Sequence, residues 1–361
     1  MTLTDLGWND FFAQHFGSVD SGDWVPARVA REHTHLYLVC GEFGELTAEV
    51  SGKLRHHATG KQDFPAVGDW VMVQPRPEEG RATIHGVLPR KSAFVRKGAT
   101  GADRQRGGKT EEQVLAANVD TAFLVSGLDG DFNPRRIERY LTLVWDSGAS
   151  PIIVLNKTDL CDDVDSRIET VEGIAFGVPV LRMSAVQNDG VEALREHIGF
   201  GKTAAFLGSS GVGKSTLINC LLGAARQEVR AVREDDSRGR HTTTYRELIH
   251  LTGGGLVIDT PGMRELQLWT DEDGLERTFE DIEELAEQCR FRDCRHGDEP
   301  GCAVRDAIED GRLDAGRWGS YRKLKREVEY ASARKEGTVR LLEKARWKKI
   351  AEDIKHLKKN K

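Results

Sequence analysis

Between about Trp24 and Leu88, apolar residues come in short alternating or β-branched runs. Val25-Pro26-Ala27-Arg28-Val29, Leu36-Tyr37-Leu38-Val39 and Trp70-Val71-Met72-Val73 are punctuated by Gly41, Gly44, Gly52, Gly60 and Gly68. A two-residue period interrupted this often predicts a small all-β barrel or sandwich. The pattern fades from Lys91 to Glu112, a stretch rich in Gly, Arg and Lys that predicts a linker or mobile loop. From Asp120 the rhythm becomes strand then helix. Thr121–Val125, Pro151–Leu155, Val178–Leu181, Ala204–Leu207 and Leu256–Ile258 are apolar runs of strand length. Asn133-Pro134 supplies a cap and first-turn proline ahead of an amphipathic run through Val144. Strands alternating with helices predict a parallel sheet covered on both faces. After Thr278 the pattern turns helical. The expected division is 1–90 for an N-terminal segment and barrel, 91–115 for the linker, 116–272 for the α/β domain and 273–361 for a helical module and tail.

Composition changes this picture in two places. No apolar run approaches the roughly 20 residues of a membrane helix, and Met1 to Gly17 lacks a basic start and apolar core, so a cytoplasmic, membrane-free protein is expected. The net charge of −6 conceals an asymmetry, because Tyr321 to Lys361 carries 15 Lys and Arg against 6 Asp and Glu. That tail, with Arg340, Lys344, Arg346, Lys348, Lys349, Lys355, Lys358 and Lys359, is either a phosphate-tracking element or a solvated charged helix.

The chemistry is concentrated in the α/β region. Gly208-Ser209-Ser210-Gly211-Val212-Gly213-Lys214-Ser215 follows an apolar strand and opens a helix at Thr216, the full phosphate-loop pattern in its required context. Its glycines let backbone N–H groups converge on phosphates, Lys214 would reach the terminal phosphates and the Ser215 hydroxyl would ligate Mg²⁺. Asn156-Lys157-Thr158-Asp159 ends another strand. A carboxylate at Asp159 pairs with the two adjacent donors of guanine, and adenine would leave it desolvated and unpaired. Lys157 would lie along the base, Asn156 would tie the loop to its neighbours, and Ser184-Ala185 suits a loop closing over the guanine O6. Asp259-Thr260-Pro261-Gly262 follows a third strand, with Asp259 holding Mg²⁺ through water and the Gly262 N–H touching the γ-phosphate. Between these motifs, one of Thr242, Thr243 and Thr244 would complete the Mg²⁺ shell, Thr243 being favoured, in a segment ordered by the γ-phosphate.

The order of these motifs is base turn, Ser-Ala, phosphate loop, threonines, then Asp-x-x-Gly, which is circularly permuted relative to familiar GTPases. Cys289, Cys294, His296 and Cys302 add a Cys-x₄-Cys-x-His-x₅-Cys pattern suited to one structural, tetrahedral Zn²⁺. Reduced cysteines in a small core are the alternative, and Cys40, Cys161 and Cys220 read as incidental. Together with Pro65 to Val71, Ala117-Asn118-Val119-Asp120 and Gly239 to Thr244, the chain resembles the ribosome small subunit-dependent GTPase family, the RsgA/YjeQ-like permuted GTPases. The resemblance implies a multidomain α/β fold: an oligonucleotide-binding-type (OB-like) β-barrel, a circularly permuted P-loop GTPase domain and a C-terminal helical zinc-binding module. It further implies binding to the small ribosomal subunit and its rRNA, with GTP hydrolysis during late maturation stimulated by that particle; separately, a monomer is expected.

Hydrolysis requires a group that orients water. Met263 occupies the place of the usual Gln. His241 is the nearest polar candidate for a catalytic role, against an RNA-facing or merely solvated loop histidine. Two other readings remain open from the residues: a P-loop ATPase or kinase acting on a small molecule, and an RNA-binding scaffold with incidental turnover.

Overall fold

The computed structural model describes residues 1–19, 22–33, 36–98, 111–223, 246–259, 272–330 and 332. Those up to Asp259 form one compact unit and those from Glu272 a second.

The first unit begins with β1 (Val25–His33), β2 (Leu36–Gly41), β3 (Gly44–Val50), β4 (Trp70–Arg76) and β5 (Arg81–Val87). β1 pairs with β2, β2 with β3, β3 in parallel with β5, and β5 with β4, while β4 returns to β1 and closes a five-stranded barrel. Alternation explains the closure: Ala27, Val29, Val39, Leu46, Ala48, Val71, Val73 and Ile84 point into one core and are essentially dry.

Residues assigned to a linker by their composition are partly strand. β6 (Ala93–Gly98) and β7 (Glu111–Ala117) pair antiparallel, and the expected boundary at 115 falls within β7. The basic and polar residues of the stretch obscured short apolar segments in which Phe94, Val114 and Leu115 are covered. Residues 99–110 lie outside the described residues.

The α/β region contributes β8 (Thr121–Gly127), β9 (Ser150–Asn156), β10 (Val180–Met183), β11 (Thr203–Leu207), β12 (Glu247–His250) and β13 (Leu256–Asp259). Their order is β10-β9-β8-β11-β13-β12, all parallel except β12. The expected strands are present, with β10 starting two residues later than its apolar run, and β12 was not foreseen. The helix Pro134–Ser147 is capped by Asn133, whose side chain accepts from the Arg135 and Arg136 N–H groups at 3.0 and 3.3 Å. Because the strands are parallel, their C-terminal ends gather on one edge, where such sheets bind ligands.

Two segments that carried the family resemblance meet at the seam between barrel and α/β sheet. Arg28 is buried and donates to the carbonyls of Gly68 and Asn118, both at 3.1 Å, and of Leu6. Asn118, in left-handed conformation at φ 55°, donates to the same Gly68 carbonyl and accepts from the Lys91 N–H. Gly68 has no substitute here, since a Cβ would lie 2.2 Å from the Ala117 carbonyl oxygen. Burial pulls the Arg28 pKa down to about 10, still charged at neutral pH.

The second unit packs the helices Glu272–Thr278, Glu280–Glu287 and Ala303–Glu309 with helical residues 315–330 around Leu275, Phe279, Ile282, Val304, Leu313, Tyr321 and Leu324. Arg317, 3% exposed, grips both oxygens of Asp281 at 2.8 and 2.6 Å, donates to the Thr278 carbonyl and lies over the Phe279 ring. Among the described residues no helix is long and apolar enough to cross a membrane.

Candidate functional site

The phosphate loop leaves β11 at Gly208 and enters the helix Lys214–Leu222. Gly208, Gly211 and Gly213 have φ of 147°, 83° and 100°, a backbone that other residues adopt only with strain. A Cβ on Gly208 would lie 2.2 Å from the Val125 carbonyl oxygen, and one on Gly213 2.3 Å from Asn156 Nδ2. These glycines are therefore required both by conformation and by the closeness of β8 and β9. Gly213 caps the helix without a side chain, leaving the first N–H groups to serve an anion. Lys214 Nζ donates to the Gly208 and Ser209 carbonyls at 2.6 and 2.5 Å. Ser210, Ser215 and Thr216 are exposed along the loop and first turn.

Asn156 is the strut of the site. It is 2% exposed, its Nδ2 donates to the Val212 carbonyl at 2.8 Å, and its Oδ1 accepts from the Ala185 N–H at 3.0 Å. One side chain thus fixes the phosphate loop and the Ser-Ala loop to the end of β9, and each of these buried backbone groups would otherwise be costly to leave unpaired. Lys157, at φ 68°, turns the chain and pairs with Asp129, whose carboxyl that hydrogen bond holds below the usual range. Asp159 is exposed in the middle of the tight turn Thr158–Leu160 that leaves the sheet, and it accepts from the buried Ser184 hydroxyl at 2.5 Å. Ser184 and Asp189 exchange backbone hydrogen bonds, which close the Ser-Ala loop into a short turn.

A cluster beside the phosphate loop escaped the sequence reading. Arg136 Nη1 donates to Asp131 Oδ2 at 2.6 Å and to Ser209 Oγ at 2.9 Å, and Ser209 donates to the same carboxylate. The Arg136 bond first, then the Ser209 bond, hold the Asp131 carboxyl below its ordinary pKa. The only trace in the sequence is Asp-Gly-Asp between a strand and a capped helix, which also reads as an ordinary turn.

Asp259 stands at the C-terminal end of β13, on the strand beside that of the phosphate loop. The other residues proposed for the metal and γ-phosphate side, Thr242, Thr243, Thr244, Thr260 and Gly262, lie outside the described residues, as do His241, Met263 and the tail residues from Arg340.

In the second unit, Cys289, Cys294, His296 and Cys302 bring their ligand atoms within 4.8 Å of one another. His296 turns Nδ1 inward, 3.5 Å from the sulfurs of Cys289 and Cys302, while Trp318 packs edge-on against the ring. Three thiols and an imidazole nitrogen converging this closely fit a tetrahedral metal ion.

A phosphate loop and an Asn-Lys-x-Asp turn, tied together on the C-terminal edge of one parallel sheet but reversed along the chain, define a P-loop GTPase of permuted connectivity. A family model described as RsgA GTPase matches residues 87–269. The small ribosomal subunit biogenesis GTPase RsgA of Opitutus terrae is 51% identical over 359 residues, covering 97% of this chain and 96% of that protein. The protein of the same name from Syntrophotalea carbinolica is 48% identical over 355 residues, with 97% and 96% covered. The crystal structure of YjeQ from Thermotoga maritima superposes with a TM-score of 0.61 at 29% identity, covering 84% of this chain and 98% of its own. YloQ, described as a circularly permuted GTPase, gives 0.59 at 27%, covering 86% and 96%. The chain belongs to the RsgA GTPase family and is a hydrolase acting on GTP.

Proposed function

We propose that this GTPase binds the small ribosomal subunit in its GTP form, acts in late maturation of that particle and is released by hydrolysis. The observation that carries the nucleotide half is Asn156, whose amide joins the phosphate loop to the loop that would close over the base. The relatives named as small ribosomal subunit biogenesis GTPases support the other half.

In this reading Asp159 accepts the two guanine donors, while Ser184, bonded to it, sets its orientation. Lys157 and Thr158 flank the base and Ala185 offers its loop to the O6. Lys214, now on loop carbonyls, transfers its donors to the terminal phosphates. Ser215 and Asp259 would hold Mg²⁺, the latter through water, and Thr243 and Gly262 would complete the γ-phosphate side. Mg²⁺ would neutralise charge developing on the phosphates. His241 orients the attacking water, since Met263 cannot. Cys289, Cys294, His296 and Cys302 hold Zn²⁺ with no open position, a structural role. The protein acts as a cytoplasmic monomer, with barrel and basic tail facing rRNA.

Sedimentation with purified small subunits tests this. Co-sedimentation is expected with GTP or a non-hydrolysable analogue and release with GDP; equal binding in all three states would overturn the timer. For His241→Ala, GTP binding should persist while subunit-stimulated turnover falls, and full turnover would remove His241 from the mechanism.

A further inference from the structure

The barrel and the GTPase sheet are not merely adjacent. The first half of β1, Val25–Arg28, pairs with β4 and closes the barrel. Its register against β2 then shifts between Val29 and Arg31, a bulge at Ala30, and beyond it β1 pairs antiparallel with β12. A bulge bends a strand and increases its twist. Here it carries β1 out of the barrel closure and makes it the next strand of the GTPase sheet.

The register across this junction places three charged residues in one row. Arg31 on β1 is the partner of Glu247 on β12, and Glu247 is in turn the partner of Asp259 on β13. Directly opposed residues on neighbouring strands share a face, with side chains close enough to interact, and like charges so placed destabilise each other. Glu247 and Asp259 are such a pair. Arg31 answers it from the other side, donating Nε to Glu247 Oε1 at 2.8 Å and pairing through Nη2 with the same oxygen. A second ion pair crosses the junction, Arg246 with Glu32 at 3.4 Å. Burial raises the Glu32 pKa and lowers that of Arg246, so both charges are drawn partly out of water and depend on each other. Arg246 follows Thr244 by two residues, at the end of the segment expected to be ordered by the γ-phosphate.

We propose that Arg31, a barrel residue, is a positioning residue of the GTPase site: by neutralising Glu247 it keeps that carboxylate from opposing Asp259. The proposal rests on the reading of Asp259 as the magnesium-side carboxylate. It makes β1 the route by which a change in the barrel alters turnover, since anything that draws Arg31 from Glu247 changes the charge facing Asp259.

The test is steady-state GTP turnover by the full-length protein at saturating Mg²⁺. Arg31→Met should lower kcat about tenfold with the KM for GTP changed less than about twofold, because neither the phosphate loop nor the base turn is touched. Adding Glu247→Gln, which removes the opposing charge, should return kcat to within about threefold of the native value. A purely structural role for Arg31 predicts instead that Arg31→Met lowers the melting temperature and the fraction of protein that binds GTP, with turnover per bound site unchanged. A double variant no faster than Arg31→Met, or an Arg31→Met protein with native kcat, would overturn the proposal. The magnesium reading is tested apart, by the Mg²⁺ dependence of GTP binding in Asp259→Asn. Native dependence there overturns that reading, whereas an impaired Asp259→Asn with no rescue at Arg31 overturns this proposal alone.

Discussion

The nucleotide site and the cysteine cluster are built on opposite principles. Around the nucleotide loops, direct bonds between protein groups set the geometry. Asn156 bonds two loops, Ser209 is held by Asp131 and Arg136, and positive-φ glycines admit close strands. A large apolar sheet core beneath supports every strand end, with Phe123, Ile153, Leu155, Ala205 and Val257 fully covered. The cluster instead sits on short helices with a small core, and Cys302 is both a ligand candidate and a buried core residue. A preorganised site of the first kind tolerates loss of its ligand. One of the second kind takes a share of its folding energy from the metal.

In the proposed Zn²⁺ site, removing the metal should produce the largest effect. Structural Zn²⁺ sites contribute an apparent ~10 kcal/mol near neutral pH. Chelation followed by replenishment of Mg²⁺ alone, or Cys302→Ser, is expected to expose the region after Glu272 to proteolysis, while GTP affinity measured on the same sample stays within about threefold. Protease resistance retained without metal would erase the contrast. Next is Arg317→Met in the metal-loaded protein. It leaves the half-buried Asp281 without its partner and bares the Thr278 carbonyl, a loss of about 1–3 kcal/mol. Chemical denaturation followed by hydrogen exchange within the second unit measures it, and a change below about 1 kcal/mol would show that the metal alone carries the module.

The nucleotide site should respond more in binding than in folding. Asn156→Ala strips the Val212 carbonyl and Ala185 N–H of their partner, at about 1–3 kcal/mol each where they stay buried, so GTP affinity should fall at least about tenfold. Titration calorimetry checks this; unchanged affinity with a stable fold would mean the strut positions nothing. The smallest effect belongs to Ser209→Ala, which removes one of the bonds that hold the Asp131 carboxyl low. That carboxyl should titrate at higher pH, read by NMR. Because its pKa is depressed in the folded protein, its stabilising contribution is present above the ordinary carboxylate pKa. It is lost as the pH falls through the lowered value, a window that Ser209→Ala should narrow.

The motifs were legible because phosphate and guanine recognition constrain residue type at fixed local spacing, and strand periodicity placed them on the correct ends of β9, β11 and β13. The barrel strands β1, β2 and β4 were legible for the same reason. The hairpin of β6 and β7 was not, since its charged residues broke the apolar pattern that signals a strand. Asp131 and Arg136 were missed because their meaning depends on Ser209, more than seventy positions away.

By itself the sequence determined the local chemistry of this protein: a phosphate loop, a guanine-type turn and a Cys-x₄-Cys-x-His-x₅-Cys set, in permuted order. Each is specified within a few residues, where backbone propensity and ligand chemistry act directly. Tertiary structure alone decided that Asn156 joins the two loops, that Gly68 and Asn118 meet at Arg28, and that β1 leaves the barrel to set Arg31 against Glu247 and Asp259. Such contacts arise from strand order and register, which are fixed by packing the whole apolar pattern at once rather than by any short run of residues.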